Sequence, residues 1–170
     1  MKFLADEMLG QLAKWLRVLG YDTLYHQHLD DNELVRLARA QGRLILTRDT
    51  KLTHRRGVRC LFIKSELVEE QLPQVLDDLG LALDNPFSRC SVCNAPLEEI
   101  EKSAVKERVP PYVFRTQERF KLCPQCGRIY WRGTHWDRMK ERIEGLETIS
   151  SAKILTRHSP KDKHLTDSAS

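Results

Sequence analysis

The sequence predicts an α/β domain of three layers around a mainly parallel sheet, followed by a small cysteine-bearing module. Short apolar runs alternate with longer amphipathic stretches, the order expected of parallel strands joined by crossover helices. The run Leu44-Ile45-Leu46 is apolar without alternation, as a strand covered on both faces should be. Beyond Pro86 that rhythm stops, and two Cys-x-x-Cys pairs follow.

Each element has its own reason. Lys2-Phe3-Leu4-Ala5 reads as a first strand that delivers Asp6 at its end. Leu9, Leu12, Ala13, Leu16 and Leu19 recur at helical spacing across Met8–Leu19, and Gly20 is a suitable stop. Residues 21–25 read as a second strand. Asp30 with Glu33 three residues later has the spacing of a capping box, which opens a helix carrying Leu34, Leu37 and Ala38 to Gly42. Asp31, beside the cap, is free for another task. The strand Leu44–Leu46 then leads to Asp49, and Thr50–Gly57 reads as a basic loop. Val58–Ile63 is another strand, with Cys60 as an ordinary core residue. A helical segment begins near Ser65 and resumes after Pro73, where Leu72, Val75, Leu76 and Leu79 share one face before Gly80. Turn residues Asp84-Asn85-Pro86 mark a boundary, giving an α/β domain over 1–86 and a second module over 87–146. In that module Val109-Pro110-Pro111-Tyr112 is poor helix material, and Arg128–Trp131 reads as a closing strand. Thr134-x-x-Asp137 opens a short helix with Trp136, Met139, Ile143 and Leu146 on one face. Ser, Lys, Asp and His dominate 147–170, which reads as a disordered tail.

Composition narrows the function. The chain has 170 residues, 41% hydrophobic and 31% charged, with no apolar stretch near the roughly 20 residues of a membrane helix. Met1–Ala5 runs into acid with no apolar signal region, so a cytoplasmic location and no membrane partner are expected. Residues 1–88 hold 12 Lys/Arg against 13 Asp/Glu, while residues 89–170 hold 16 against 11. Around the single acid Asp49 stand Arg43, Arg48, Lys51, Arg55, Arg56 and Arg59, a setting that suits a polyanionic substrate.

Two constellations carry chemistry. Cys90-x-x-Cys93 and Cys123-x-x-Cys126 offer four thiolates, the donor set of a closed tetrahedral zinc site with a structural role. Gly127 after the second pair suits a backbone of positive φ, and Asn94 after the first is the next best residue for it. Asp6, Asp31 and Asp49 come from the ends or edges of three elements that should meet at one rim of the sheet. Strand carboxyl ends are where ligands collect in such folds. Clustered carboxylates call for a cation, and Mg²⁺ or Mn²⁺ suits oxygen ligands and phosphate substrates.

These residues resemble a known family. Phe3-Leu4-Ala5-Asp6-x-Met8-Leu9-Gly10-x-Leu12-Ala13-x-Trp15-Leu16-Arg17-x-Leu19-Gly20-Tyr21-Asp22 is similar to the opening signature of the Mut-seven-type C-terminal RNase domain, a PIN-like nuclease followed by a zinc ribbon. Asp31-x-Glu33-Leu34, Gly42–Asp49 and the cysteine pairs before Tyr130-Trp131 match in order, so the resemblance covers roughly 1–146. It implies a PIN-like fold for 1–86, a ribbon for 87–146, and a metal-dependent ribonuclease. Asp6, Asp31 and Asp49 would be metal ligands, with Lys14 and Arg17 near the site as phosphate contacts. PIN-like nucleases place a fourth acid after the next strand, but here that strand ends Ile63-Lys64-Ser65-Glu66, with the position basic or shifted. The alternative reading is a non-catalytic RNA- or ribosome-associated protein that binds through the basic loop and the ribbon.

Overall fold

The computed structural model describes residues 1–134 and 136–145. Four short strands, β1 (Lys2–Ala5), β2 (Asp22–Tyr25), β3 (Leu44–Thr47) and β4 (Cys60–Phe62), form an all-parallel sheet in the order β2-β1-β3-β4. Phe3 pairs with Thr23 on one side and Leu44 on the other, and Ile45 pairs with Cys60. Helices α1 (Gly10–Val18) and α2 (Asp31–Gln41) provide crossovers, the one-turn α3 (Thr50–Thr53) lies between β3 and β4, and α4 (Val68–Leu79) follows β4.

Strand alternation explains why neighbouring residues are all apolar. Phe3, Ala5, Leu44, Leu46 and Ile63 join Leu12 and Leu16 of α1 and Leu72, Val75 and Leu76 of α4 in one core. Leu4 and Ile45 face the opposite way, onto Leu34, Val35 and Ala38 of α2 and Leu52 of α3. The sheet is therefore the middle of three layers, as its sequence implies.

The second module is a three-stranded antiparallel sheet, β5 (Glu98–Ile100), β6 (Phe120–Leu122) and β7 (Ile129–Trp131), in that order. Between β5 and β6 lie a 3₁₀ turn (Lys102–Val105) and α5 (Pro111–Thr116). A last helix, α6, runs over 136–145. It turns back onto the first module, where Ile143 is 5% exposed within the α1–α4 core and Met139 packs beside it.

Three local expectations change. Thr50–Gly57 is not all loop, because Asp49 accepts from Lys51 N and caps α3. Helix α4 runs unbroken through Pro73. Proline there forfeits one backbone bond, but Leu72, Val75 and Leu76 hold the helix on the core. The Pro-Pro pair starts a helix rather than preventing one, since Pro111 sits at the first turn, where its missing N–H costs nothing. Leu146 and the tail 147–170 lie outside the described residues.

Candidate active site and metal centre

Parallel strands aim their carboxyl ends at a common rim, and the acids arrive there by chain order. Asp6 follows β1 directly, Asp49 lies two residues past the end of β3, and Asp31 opens α2 after β2. Asp6 is 6% exposed. Its Oδ1 accepts from Met8 N at 3.0 Å, and its Oδ2 accepts from the Thr47 hydroxyl and from Arg48 N at 3.1 Å. The fully buried Thr47 Oγ1 also accepts from Asp49 N at 2.9 Å, so one hydroxyl joins the bases of Asp6 and Asp49. Nothing in the sequence singles out Thr47 beyond a hydroxyl ending an apolar strand. Asp31 stands further out, with Arg55 Nη2 at 3.9 Å. Asp30 makes both halves of its capping box with Glu33. Glu66, after β4, pairs with Arg48 Nη2 at 2.8 Å.

The basic residues divide into two groups. Arg48, Lys51, Arg55 and Arg56 lie on the segment that leaves β3 at the rim, the last three exposed. Arg55 donates to Asn32 Oδ1 at 3.0 Å beside Asp31, while the Arg56 carbonyl accepts from Arg39. Lys14 is exposed on the outer side of α1. Arg17 and Arg43 have other duties. Helix α1 runs back from the rim, so Arg17, two turns later, reaches the opposite, amino end of the sheet. There it is 6% exposed and donates through Nε to Thr23 O at 2.8 Å and through Nη1 to Val92 O at 2.7 Å and Ser91 O at 3.3 Å. Burial lowers its pKa, against the opposing charges of Cys90, Cys93 and Asp22. Arg17 is therefore a buried tie rather than a phosphate contact. Arg43 is likewise withdrawn from the basic run around Asp49. It binds Asp22 at 2.7 Å, Phe3 O at 3.2 Å and Gln41 Oε1 at 2.7 Å.

Both ties belong to a clamp between the first cysteine turn and the amino edge of the sheet. Asn94 Oδ1 accepts from Thr23 N at 3.0 Å, and its Nδ2 donates to Asp22 Oδ1 at 2.7 Å. Arg89 donates to Gly20 O and Asn94 O at 3.2 and 2.8 Å. Burial pushes the Asp22 carboxyl up, but the bonds from Arg43 and Asn94 and the nearby cations outweigh it, leaving Asp22 below the usual carboxylate range. Gly20 permits the approach: its φ is 94°, and a Cβ there would stand 2.2 Å from Asn85 O.

The four cysteines meet as their spacing requires. Their sulfurs lie within 4.8 Å of one another, with Cys90–Cys126 at 3.6 Å and Cys93–Cys123 at 3.3 Å. A tetrahedral zinc with bonds near 2.3 Å sets its sulfurs about 3.8 Å apart, so the donors fit the ion with little adjustment. The two turns are built alike. Cys93 N donates to Cys90 Sγ and Cys126 N to Cys123 Sγ, each at 3.4 Å. Asn94 and Gly127 both take φ of 72°. Burial opposes ionisation of Cys90, yet donation from the Cys93 amide and Tyr130 hydroxyl brings it to about 6, while burial and the neighbouring thiols push Cys93 up to about 12. Cys60 stands apart from this centre.

Among the described residues, these cysteines are the group of His, Cys, Asp or Glu close enough to share one ion; the three rim carboxylates do not gather so tightly. No helix among them is long and apolar enough to cross a membrane. Neither the curated proteins nor the solved structures give a match. The family model described as the Mut7-C RNAse domain matches residues 1–143, a span holding the acidic rim, both cysteine turns and nearly all of α6. The chain belongs to the Mut7-C RNAse domain family.

Proposed function

We propose that this protein is a metal-dependent ribonuclease that hydrolyses RNA phosphodiester bonds at the Asp6–Asp49 rim, with Asp31 at its outer edge. The observation that carries the reading is the delivery of three acids from successive parallel strand units to the ligand-binding end of the sheet. The carboxylates suit a hydrated Mg²⁺ or Mn²⁺, which needs one or two of them plus water and substrate phosphate, and not a closed cage of three. Such an ion supplies an activated water and charge stabilisation at phosphorus. Asp6 and Asp49 would hold it, both fixed through Thr47. Arg48, Lys51 and Arg55 would orient the phosphodiester, and Arg55 would trade its partners Asn32 and Asp31 for phosphate oxygens. Zinc in the cysteine centre would be structural, with RNA the partner and the cytoplasm the site of action.

A second reading keeps RNA binding without catalysis. It draws on the ordinary capping duties of Asp6 and Asp49, each of which accepts from the backbone of the turn it opens. Purified protein on single- and double-stranded RNA with Mg²⁺ or Mn²⁺, beside its Asp49→Asn variant, separates the two. Metal-dependent cleavage lost in the variant with binding retained supports the nuclease. Equal cleavage by both would remove the rim from the mechanism.

A further inference from the structure

Charge is distributed over this molecule in a way the rim does not explain. Residues 102–128 hold seven Lys/Arg against two Asp/Glu, whereas the chain as a whole holds 28 against 24, leaving 21 against 22 elsewhere. That stretch, from the 3₁₀ turn to just past the second cysteine turn, thus carries the whole excess of positive charge. One of its two acids, Glu118, is taken by Lys102 at 2.7 Å. Lys106, Arg115, Arg119 and Arg128 are exposed. Arg108 is fixed over the second turn by donation to Gly127 O at 2.8 Å, beside Arg128 in sequence. Among these cations stands Tyr112, 66% exposed and one helical turn before Arg115 on α5. A small core of Val105, Val109, Val113 and Phe120 makes this lobe a firm platform.

The lobe is also remote from the acids. Its first cysteine turn is bound to Asp22, Thr23 and Arg17 at the amino end of the sheet, while Asp6 and Asp49 lie beyond the carboxyl end. Strands of four residues put roughly 13 Å of sheet between those ends, before the loops are counted.

We infer that the ribbon lobe is a second RNA-binding surface, specific for single strands, on which Tyr112 stacks a base and Arg108, Arg115 and Arg119 track the backbone. Cations around an exposed aromatic ring form the stacking platform of single-strand binding proteins, and a duplex, whose bases are stacked already, offers that ring nothing. The inference deepens the ribonuclease reading and rests on it only for its kinetic consequence. RNA long enough to span both ends of the sheet gains from the lobe, and a dinucleotide does not.

The test has two arms. Direct titration of the zinc-loaded full chain with a single-stranded RNA of about 20 nucleotides and with a duplex of equal length needs no catalysis. Tyr112→Ala should weaken the single strand roughly tenfold or more and leave the duplex unchanged. Arg115→Ala with Arg119→Ala should lower the slope of log affinity against log salt by about 1.4, about 0.7 for each lost contact to a single strand. Melting temperature and zinc content should not move. In the kinetic arm, the same variants should raise KM for the long RNA and leave dinucleotide cleavage alone. Unchanged single-strand affinity in both variants, or an equal loss for duplex, overturns the inference. Absence of cleavage of any RNA, with the binding effects intact, overturns the nuclease reading instead.

Discussion

Asp6 and Asp49 differ in what an amide would do to them, and that difference shapes any test of the rim. Asparagine caps a helix about as well as aspartate, so Asp49→Asn should melt like the wild type while losing orders of magnitude in cleavage, measured by a thermal scan beside a cleavage assay. Asp6→Asn is not so clean. Its Oδ2 accepts from both Thr47 and Arg48 N, and an NH₂ in that place would face the Arg48 N–H with no acceptor to offer. The variant should lose stability by roughly 1–3 kcal/mol in urea titration as well as activity. Asp30→Asn is the control, expected to keep both. The acids were legible in the sequence because a charge ending an apolar run is conspicuous. Thr47 was not, because a hydroxyl at a strand end is common, and only the fold shows it shared between two carboxylates.

At the scale of elements, most of the sheet and its helices follow from apolar periodicity. What the periodicity hid was the use of polar residues within elements. Arg17 lies off the apolar stripe of α1 and looks solvent-facing, yet carbonyls of the first cysteine turn, far away in sequence, cover it. Arg43 stands in a run of cations, and nothing local marks it as the partner of Asp22. That pair yields a pH prediction. The folded pKa of Asp22 lies below its unfolded value, near 3.9. Its stabilising contribution is therefore complete above about pH 4 and is lost as pH falls through the lower, folded value. Asp22→Asn should be less stable than the wild type at pH 7, by roughly 1–3 kcal/mol, and the gap should narrow in melts as the pH falls below about 4. The ribbon adds a core of its own: with Val105, Val109, Val113 and Phe120 buried, its insert is held by apolar packing besides its cysteines.

For the whole molecule, the clamp and α6 make the two modules mutually dependent. One zinc per chain should be found by elemental analysis, and its chelation should reach past the ribbon. Structural zinc contributes on the order of 10 kcal/mol in small modules, and the turn it organises presents Asn94 to β2. Removing the metal should accelerate hydrogen exchange at the Thr23 amide, deep in the first module; protection unchanged there would disconnect the clamp from the metal. The chain boundary near Asp84–Pro86 was read from turn residues, which mark where the backbone bends and say nothing of what returns later. Here α6 returns, and its return has a consequence for the order of assembly. All four parallel strands are present by Phe62, but their core is completed only when Ile143 and Met139 arrive. Contacts so distant in sequence form late, because the intervening chain must first be ordered. Until then that part of the core lies open, and the nascent chain carries a hazard of misassociation after its acidic rim has been made. Ile143→Ala, expected to cost about 2–5 kcal/mol, should appear chiefly as faster unfolding and hardly at all as slower folding.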